Sequence, residues 1–188
     1  MPSYATLAYF YLFPSTAQIA HFDIVWRLLF VIGVATIVLP LISVFIMLRF
    51  GKISSIHMED QRERNWPLLQ TAIIYAAAFY VLKDKAPVFL PLFILGAIIS
   101  MVIAMVINLR WKISLHMIGV GGFCGGIVAL FVISQEGNPI HLALTFALAG
   151  LLGTARLWLK AHTPLQILAG FALGFTVETV LALMVAGS

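Results

Sequence analysis

Long apolar stretches separated by short polar loops make up most of this chain. The apolar stretches cover residues 23–48, 67–82, 87–109, 114–133, 140–158 and 164–186. Most are about 20 residues long, which is the helix length needed to cross about 30 Å of hydrocarbon. Lipid offers no partner to backbone N–H and C=O groups, so such stretches form helices. The pattern predicts an all-α fold, a polytopic membrane helical bundle with about six transmembrane helices.

The first 22 residues break this pattern. They are rich in aromatic residues and are interrupted by Pro2 and Pro14, so they do not read as a full span. Aromatic side chains favour the membrane–water boundary, which predicts an interfacial segment for residues 1–22. The rest of the chain contains no linker and no low-complexity segment. We therefore expect a single domain over residues 1–188.

Six spans place the polar loops alternately on the two sides of a membrane. The loops 49–66, 110–113 and 159–163 fall on one side, which we name side A. The turns 83–86 and 134–139 fall on the other, side B. The most polar segments of the chain are thus predicted to lie at the same depth relative to the membrane, although they are far apart in sequence.

Composition and charge agree with a membrane protein. The chain is 62% hydrophobic and 10% charged, with a mean hydropathy of +1.07, whereas soluble domains are about a quarter charged. Its formal net charge of +4 does not indicate nucleic-acid binding, because the basic residues lie in short loops between spans. The bilayer, with its anionic headgroups, is the predicted partner. The single cysteine, Cys124, cannot form a disulfide within the chain.

The distribution of basic residues bears on orientation. Eight of the 11 Lys and Arg residues fall on side A, namely Arg49, Lys52, Arg62, Arg64, Arg110, Lys112, Arg156 and Lys160. The positive-inside rule would make side A cytoplasmic. Several of these eight are also candidate ligand-binding residues, so the orientation stays open. We expect a multi-pass protein of a bacterial cytoplasmic membrane.

Three helices are predicted to begin on side A, next to arginines. Pro67 suits the first position of span two, Ser114 is a candidate N-cap of span four, and Thr163-Pro164 reads as N-cap and first residue of span six. Helix N-termini attract anions through free N–H groups and the helix dipole. Guanidinium groups match phosphate oxygens. The candidate phosphate ligands are Arg62, Arg64, Arg156 and Lys112, which indicates a lipid phosphate as the ligand.

Two histidines lie on the same side. His116 follows Ser114 by two residues, and His162 directly precedes Thr163-Pro164. One imidazole can act as a nucleophile toward phosphorus while the other protonates the leaving alkoxide. The sequence has no HExxH and no CxxC, so this chemistry is predicted to use no metal and no cofactor.

These residues resemble a known family. Arg156-x5-His162 and Ser114-x-His116 resemble the third and second motifs of the type 2 phosphatidic acid phosphatase superfamily, membrane lipid phosphatases related to vanadium haloperoxidases. The resemblance covers about residues 50 to 175. It implies that His162 is the nucleophile, His116 the general acid and Arg156 a phosphate ligand, with Ser114 in the second motif.

Some positions differ from the family pattern. Ala155 replaces the serine of the third motif, and Gln166 stands where the family has an aspartate that orients the nucleophile. Glutamine can still accept a hydrogen bond from the imidazole, without adding charge. The first motif, K-x6-R-P, has no direct counterpart: Arg62 and Arg64 are present, and Lys52 or Lys112 is expected to supply the lysine in space.

The predicted function is a metal-independent lipid phosphatase. It would hydrolyse a membrane lipid phosphate or isoprenyl diphosphate through a phosphohistidine at His162. Three alternatives stay open: a phosphate-group transferase on the same site, a non-catalytic homologue that binds or moves phospholipid, and a haem-binding membrane protein. Glu178, the one acid deep in an apolar stretch, is a further functional candidate, although it lies about 24 Å along a helix from His162.

Overall fold

The computed structural model confirms the predicted fold class. It describes residues 2–12, 22–53, 63–135 and 138–186, and these ranges contain helices and no β-strand. The helices are α1 (Pro2–Leu12), α2 (Phe22–Gly33), α3 (Leu39–Arg49), α4 (Asn65–Leu82), α5 (Phe89–Asn108), α6 (Leu115–Ser134), α7 (Pro139–Trp158) and α8 (Pro164–Ala186). A π-helical turn, Val34–Val38, joins α2 to α3 into one continuous rod.

Six helical segments are long and apolar enough to cross a membrane. They are Val25–Arg49, followed by α4, α5, α6, α7 and α8. Their ends match the predicted spans to within about two residues, as expected for helix boundaries. The protein is therefore a multi-pass membrane protein by the length and composition of its helices.

One predicted helix start differs from the structure. Helix α4 begins at Asn65, with Arg64 as its N-cap in helical conformation, so Pro67 is the third helical residue and not the first. Proline is accepted there because N–H groups of the first helical turn have no intrahelical partner to lose. Arg64 is thereby held at the start of a span and not in a free loop.

The N-terminal helix packs against the bundle on one side, while Tyr4, Leu7 and Tyr11 are exposed, so the interfacial position of residues 1–22 stays a prediction. The side chains of Ser3, Ala5, Thr6 and Tyr9 in α1 are buried. Ser3 also forms a hydroxyl–hydroxyl hydrogen bond with Thr36, in the middle of the first span. Small and hydroxylated residues let α1 approach other helices closely. Residues 13–21 lie outside the described part of the chain.

Helices α6 and α8 are the closest pair, because glycines at their contact let the two backbones approach each other. A Cβ at Gly170 would lie 2.6 Å from the carbonyl oxygen of Ser114, and one at Gly174 would overlap the carbonyl oxygen of Ile118. Gly121 faces the backbone of Phe171 in the same way. Such backbone contact is the small-residue packing that the glycines predict. It holds the start of α6 beside the start of α8.

Candidate functional site

The turn between α7 and α8 is built from two helix caps in succession. Helix α7 ends with Lys160 at a φ of 50°. The N–H of Lys160 bonds to Leu157 O at 2.9 Å and that of Ala161 to Arg156 O at 3.1 Å. This pair of bonds is a Schellman motif. It ends α7 one turn after Arg156 and leads the chain to His162.

Helix α8 begins with a capping box. Thr163 Oγ1 accepts from the N–H of Gln166 at 3.4 Å, and Gln166 Oε1 accepts from the N–H of Thr163 at 3.2 Å. The T-x-x-Q spacing is what such a box requires. His162 thus lies between two caps, which fixes its backbone on both sides.

The side chain of His162 is held by Gln166. Its Nδ1 lies 3.0 Å from Gln166 Oε1, so the hydrogen bond predicted from the i, i+4 spacing is present. Because Oε1 already accepts from the N–H of Thr163, it must be the amide oxygen and not the nitrogen. Nδ1 of His162 is therefore the donor, and in the neutral ring Nε2 carries the free lone pair.

Burial keeps this imidazole neutral. His162 is 7% exposed. Burial is the main cause that lowers the pKa of His162; the Gln166 hydrogen bond opposes it, and Arg64, Arg156 and Lys112 lower it further. A neutral ring with a free Nε2 is the form in which histidine acts as a nucleophile.

Two arginines meet next to this ring. Arg64 is only 9% exposed, and burial together with the nearby Arg156 lowers the pKa of its guanidinium. Arg156 Nε is buried and makes no hydrogen bond to any residue of the described ranges. Two cations placed together, one with an unused buried donor, form a site that an anion would stabilise.

Ser114 connects the two helix starts of the site. Its N–H lies 3.4 Å from the carbonyl oxygen of Gln166, which joins α6 to the first turn of α8. Ser114 is the N-cap of α6, as predicted, but its hydroxyl makes no capping bond. The side chain is fully buried, and Oγ has no hydrogen-bond partner among the described residues. Its hydroxyl is thus unused at the start of α6, next to the first turn of α8.

His116 and Lys112 complete the group of residues that the structure brings together. His116 lies on the first turn of α6 with its side chain exposed, close enough to Arg64 and Arg156 to interact with them electrostatically. Lys112, in the loop before α6, acts in the same way on His162. The structure gives no hydrogen bond between the two histidines.

One predicted ligand, Lys52, is placed away from this group. Lys52 lies in a separate cleft between α3 and α4, lined by Met47, Phe50, Trp66 and Gln70. The Schellman turn that ends α3, with Gly51 at a φ of 67° and a bond from Lys52 N to Met47 O of 2.8 Å, directs it there. Arg62 lies outside the described residues.

An asparagine pair next to Arg64 was missed by the sequence analysis. Asn108, at the end of α5, is 1% exposed and donates from Nδ2 to Asn65 Oδ1 at 3.1 Å. Asn65 in turn donates to the carbonyl oxygen of Met105 at 3.4 Å. The pair fixes the start of α4, and hence Arg64, to the end of α5. The available signal was an amide side chain at the end of an otherwise apolar stretch.

Comparison with known proteins adds no relative. No protein-family model, no curated protein and no solved structure matches this chain. The case for any function therefore rests on the residues and their geometry.

Proposed function

We propose that this protein is an integral membrane phosphatase that acts on a lipid phosphate with His162 as nucleophile. The observation that carries the proposal is the orientation of His162. Gln166 Oε1 accepts from both Thr163 N and His162 Nδ1, which leaves Nε2 unprotonated beside two arginines. This is the arrangement that attack on a bound phosphate needs.

The reaction proceeds in two balanced steps. Nε2 of His162 attacks phosphorus, the bond from phosphorus to the lipid oxygen breaks, and protonated His116 gives its proton to the leaving alkoxide. Water then attacks the phosphohistidine while neutral His116 takes up its proton, and inorganic phosphate leaves. Arg64 and Arg156 stabilise the negative oxygens in both transition states, with the Ser114 hydroxyl as a further donor.

The substrate class follows from the surroundings. Because six helices are long and apolar enough to cross a membrane, we expect a phosphomonoester or diphosphate of a membrane lipid to reach the site without leaving the bilayer. Phosphatidate, phosphatidylglycerophosphate and isoprenyl diphosphates fit this description. The positive-inside rule would place the site on the cytoplasmic side of a bacterial inner membrane, and the ligand role of Arg64 and Arg156 weakens that assignment.

A second candidate is a protein that binds or moves a lipid phosphate without hydrolysing it. The neutral Gln166 favours this candidate, because an aspartate would stabilise the charge that develops on His162 during catalysis. The arginine site is common to both candidates, and only the phosphatase depends on the nucleophilicity of His162. A phosphate-group transferase would share every step except the last, where a lipid hydroxyl replaces water.

The test is phosphate release from a panel of lipid phosphates without added metal. Wild type is compared with His162→Ala and with Lys160→Ala, which changes an exposed residue of the same turn. The phosphatase predicts turnover that His162→Ala abolishes and Lys160→Ala retains. Binding of the lipid phosphates without turnover, equal in wild type and His162→Ala, would establish the binding protein instead.

A further inference from the structure

A cavity inside the bundle lies directly below the candidate phosphate site. Its volume is about 190 Å³, it is about half open to its surroundings, and its walls come from α1, α4, α5, α6 and α8. Most of the lining side chains are apolar, among them Leu68, Phe93, Ala97, Met101, Ala104 and Ile118. A mostly apolar cavity with a few polar groups is typical of a site for an apolar ligand.

The upper end of the cavity adjoins the anion site through two helices. Leu68 lies one turn below Arg64 on the same face of α4, since its N–H bonds to Arg64 O at 3.2 Å. Ile118 has the same relation to Ser114 on α6, with a bond of 3.0 Å. One helical turn is about 5.4 Å. A molecule whose phosphate contacts Arg64 can therefore extend its apolar part into this cavity.

The lower end of the cavity is polar. Glu178, which is 5% exposed, lines this end. Ser100, whose Oγ has no hydrogen-bond partner among the described residues, lines the wall about midway, since Ala97 and Phe93 lie farther from the anion site on the same helix. Gly96 and Gly122 leave space for the Glu178 side chain: a Cβ at Gly122 would lie 3.1 Å from Glu178 Cγ, and one at Gly96 would overlap the carboxyl group. This polar floor is where an apolar chain has to end or turn.

We propose that this cavity binds the first part of a single hydrocarbon chain, so that the lipid phosphate acted on is one with a single linear chain, alkyl or isoprenoid. The proposal rests on the phosphate site described above. An apolar cavity of about 150 Å³ holds one benzene, so 190 Å³ has room for about six to seven chain carbons. Two chains side by side do not fit.

Chain length is the measurable consequence. Each buried methylene contributes about fourfold to binding or to kcat/KM. In a series of linear alkyl phosphates, kcat/KM rises with each added carbon until the chain reaches Glu178. Beyond that length the gain stops, because further methylenes meet the polar floor.

Two variants change, in opposite directions, the chain length at which kcat/KM stops rising. Ala97→Phe fills the cavity and makes the gain stop at a shorter chain; Ala97→Leu is the milder alternative if the first variant does not fold. Glu178→Ala empties the space between Gly96 and Gly122 and moves the limit to longer chains, whereas Glu178→Gln keeps the shape and leaves the limit unchanged. Val102→Phe is the matched control, since Val102 lies on the same helix and is 47% exposed.

The experiment measures kcat/KM, and separately thermal stabilisation by binding, for alkyl phosphates of about four to twelve carbons. Methyl phosphate, whose single carbon does not extend into the cavity, reports on the phosphate chemistry alone. The expected result is a break in chain-length dependence that Ala97→Phe shifts and Val102→Phe does not, with methyl phosphate turnover unchanged. Two results would overturn the cavity proposal. One is equal kcat/KM for two-chain and single-chain lipid phosphates. The other is a chain-length dependence that stops rising at the same length in Ala97→Phe as in wild type.

The two proposals fail in different ways. If methyl phosphate is hydrolysed in a reaction that needs His162 but the chain-length profile is flat, the phosphatase stands and the chain site is refuted. If no phosphate ester is hydrolysed but thermal stabilisation still rises with chain length and Ala97→Phe shifts its break, the chain site stands and catalysis is refuted.

Discussion

Replacing Gln166 with glutamate tests the role of His162 directly. Gln166 Oε1 lies 3.0 Å from His162 Nδ1 and 3.2 Å from Thr163 N. Glutamate has the same length, so Gln166→Glu retains both hydrogen bonds while the acceptor gains a negative charge. A carboxylate in the first turn of α8 also interacts favourably with the helix dipole. The variant is therefore expected to fold.

The expected gain in rate follows from the change in acceptor. A hydrogen bond to a charged acceptor contributes about 1 to 2 kcal/mol more than one to a neutral acceptor. Formation of the phosphohistidine places positive charge on His162, so the extra stabilisation appears in the transition state. That corresponds to an increase in kcat of about 5-fold to 30-fold. The loss of about 10⁴-fold when a serine protease loses its orienting charge marks the upper bound.

The pH dependence of kcat/KM provides a second test of the Gln166→Glu variant. Burial, aided by Arg64, Arg156 and Lys112, lowers the pKa of His162 in wild type. The ring thus loses its proton below the ordinary histidine value of about 6.5, and the acid limb of kcat/KM lies below that pH. A carboxylate at position 166 raises the pKa of His162. The acid limb of Gln166→Glu therefore moves to higher pH while its plateau rises.

The assay is phosphate release from one good substrate, as kcat and kcat/KM over a range of pH. Gln166→Met, which has similar length but no acceptor, is the matched variant and should lose activity. If Gln166→Glu is folded but shows wild-type kcat and an unmoved acid limb, His162 does not gain positive charge in the transition state. The nucleophile assignment would then be refuted.

Three further predictions concern the anion site, the helix packing and the topology. Vanadate should raise the melting temperature of wild type, and Arg156→Ala should remove most of that shift while Lys160→Ala retains it; an equal shift in both variants would place the anion elsewhere. Gly174→Ala should destabilise the fold by about 1 to 3 kcal/mol, because its Cβ overlaps a carbonyl oxygen of α6, whereas Gly150→Ala has open space and should be neutral or slightly stabilising; equal melting temperatures would contradict the close packing. Cysteines placed at Lys160 and Asp84 should be labelled from opposite sides of the membrane, and labelling from one side would rule out the six-span topology.

The local structure of this protein could be predicted from sequence because it depends on neighbours along the chain. The six spans follow from apolar length. The cap at Thr163 follows from T-x-x-Q, and the contact between His162 and Gln166 follows from their spacing on one turn. These features need only backbone hydrogen bonding and helix geometry. The resemblance to a phosphatase family is of the same kind, since it depends on spacing within short segments.

Which residues form the site depends on packing between segments that are far apart in sequence. Arg64 lies beside Arg156 because glycines bring α6 against α8 and because Asn65 and Asn108 tie α4 to α5. Lys52 was an equally reasonable candidate by charge and side, and the turn at the end of α3 directs it into another cleft. No sequence spacing encodes these distances.

The N-terminal helix and the cavity also combine features that the sequence predicts with features that depend on packing. Aromatic residues and prolines in the first 22 positions indicated an interfacial segment, and only the structure shows that Ser3 and Thr6 of α1 are buried and that Ser3 bonds to Thr36 of the first span. Glu178 was visible in the sequence as an intramembrane acid, but not that Gly96 and Gly122 make room for its side chain. Amino-acid type determines what a residue can contact, and only the packed helices decide which groups are within reach.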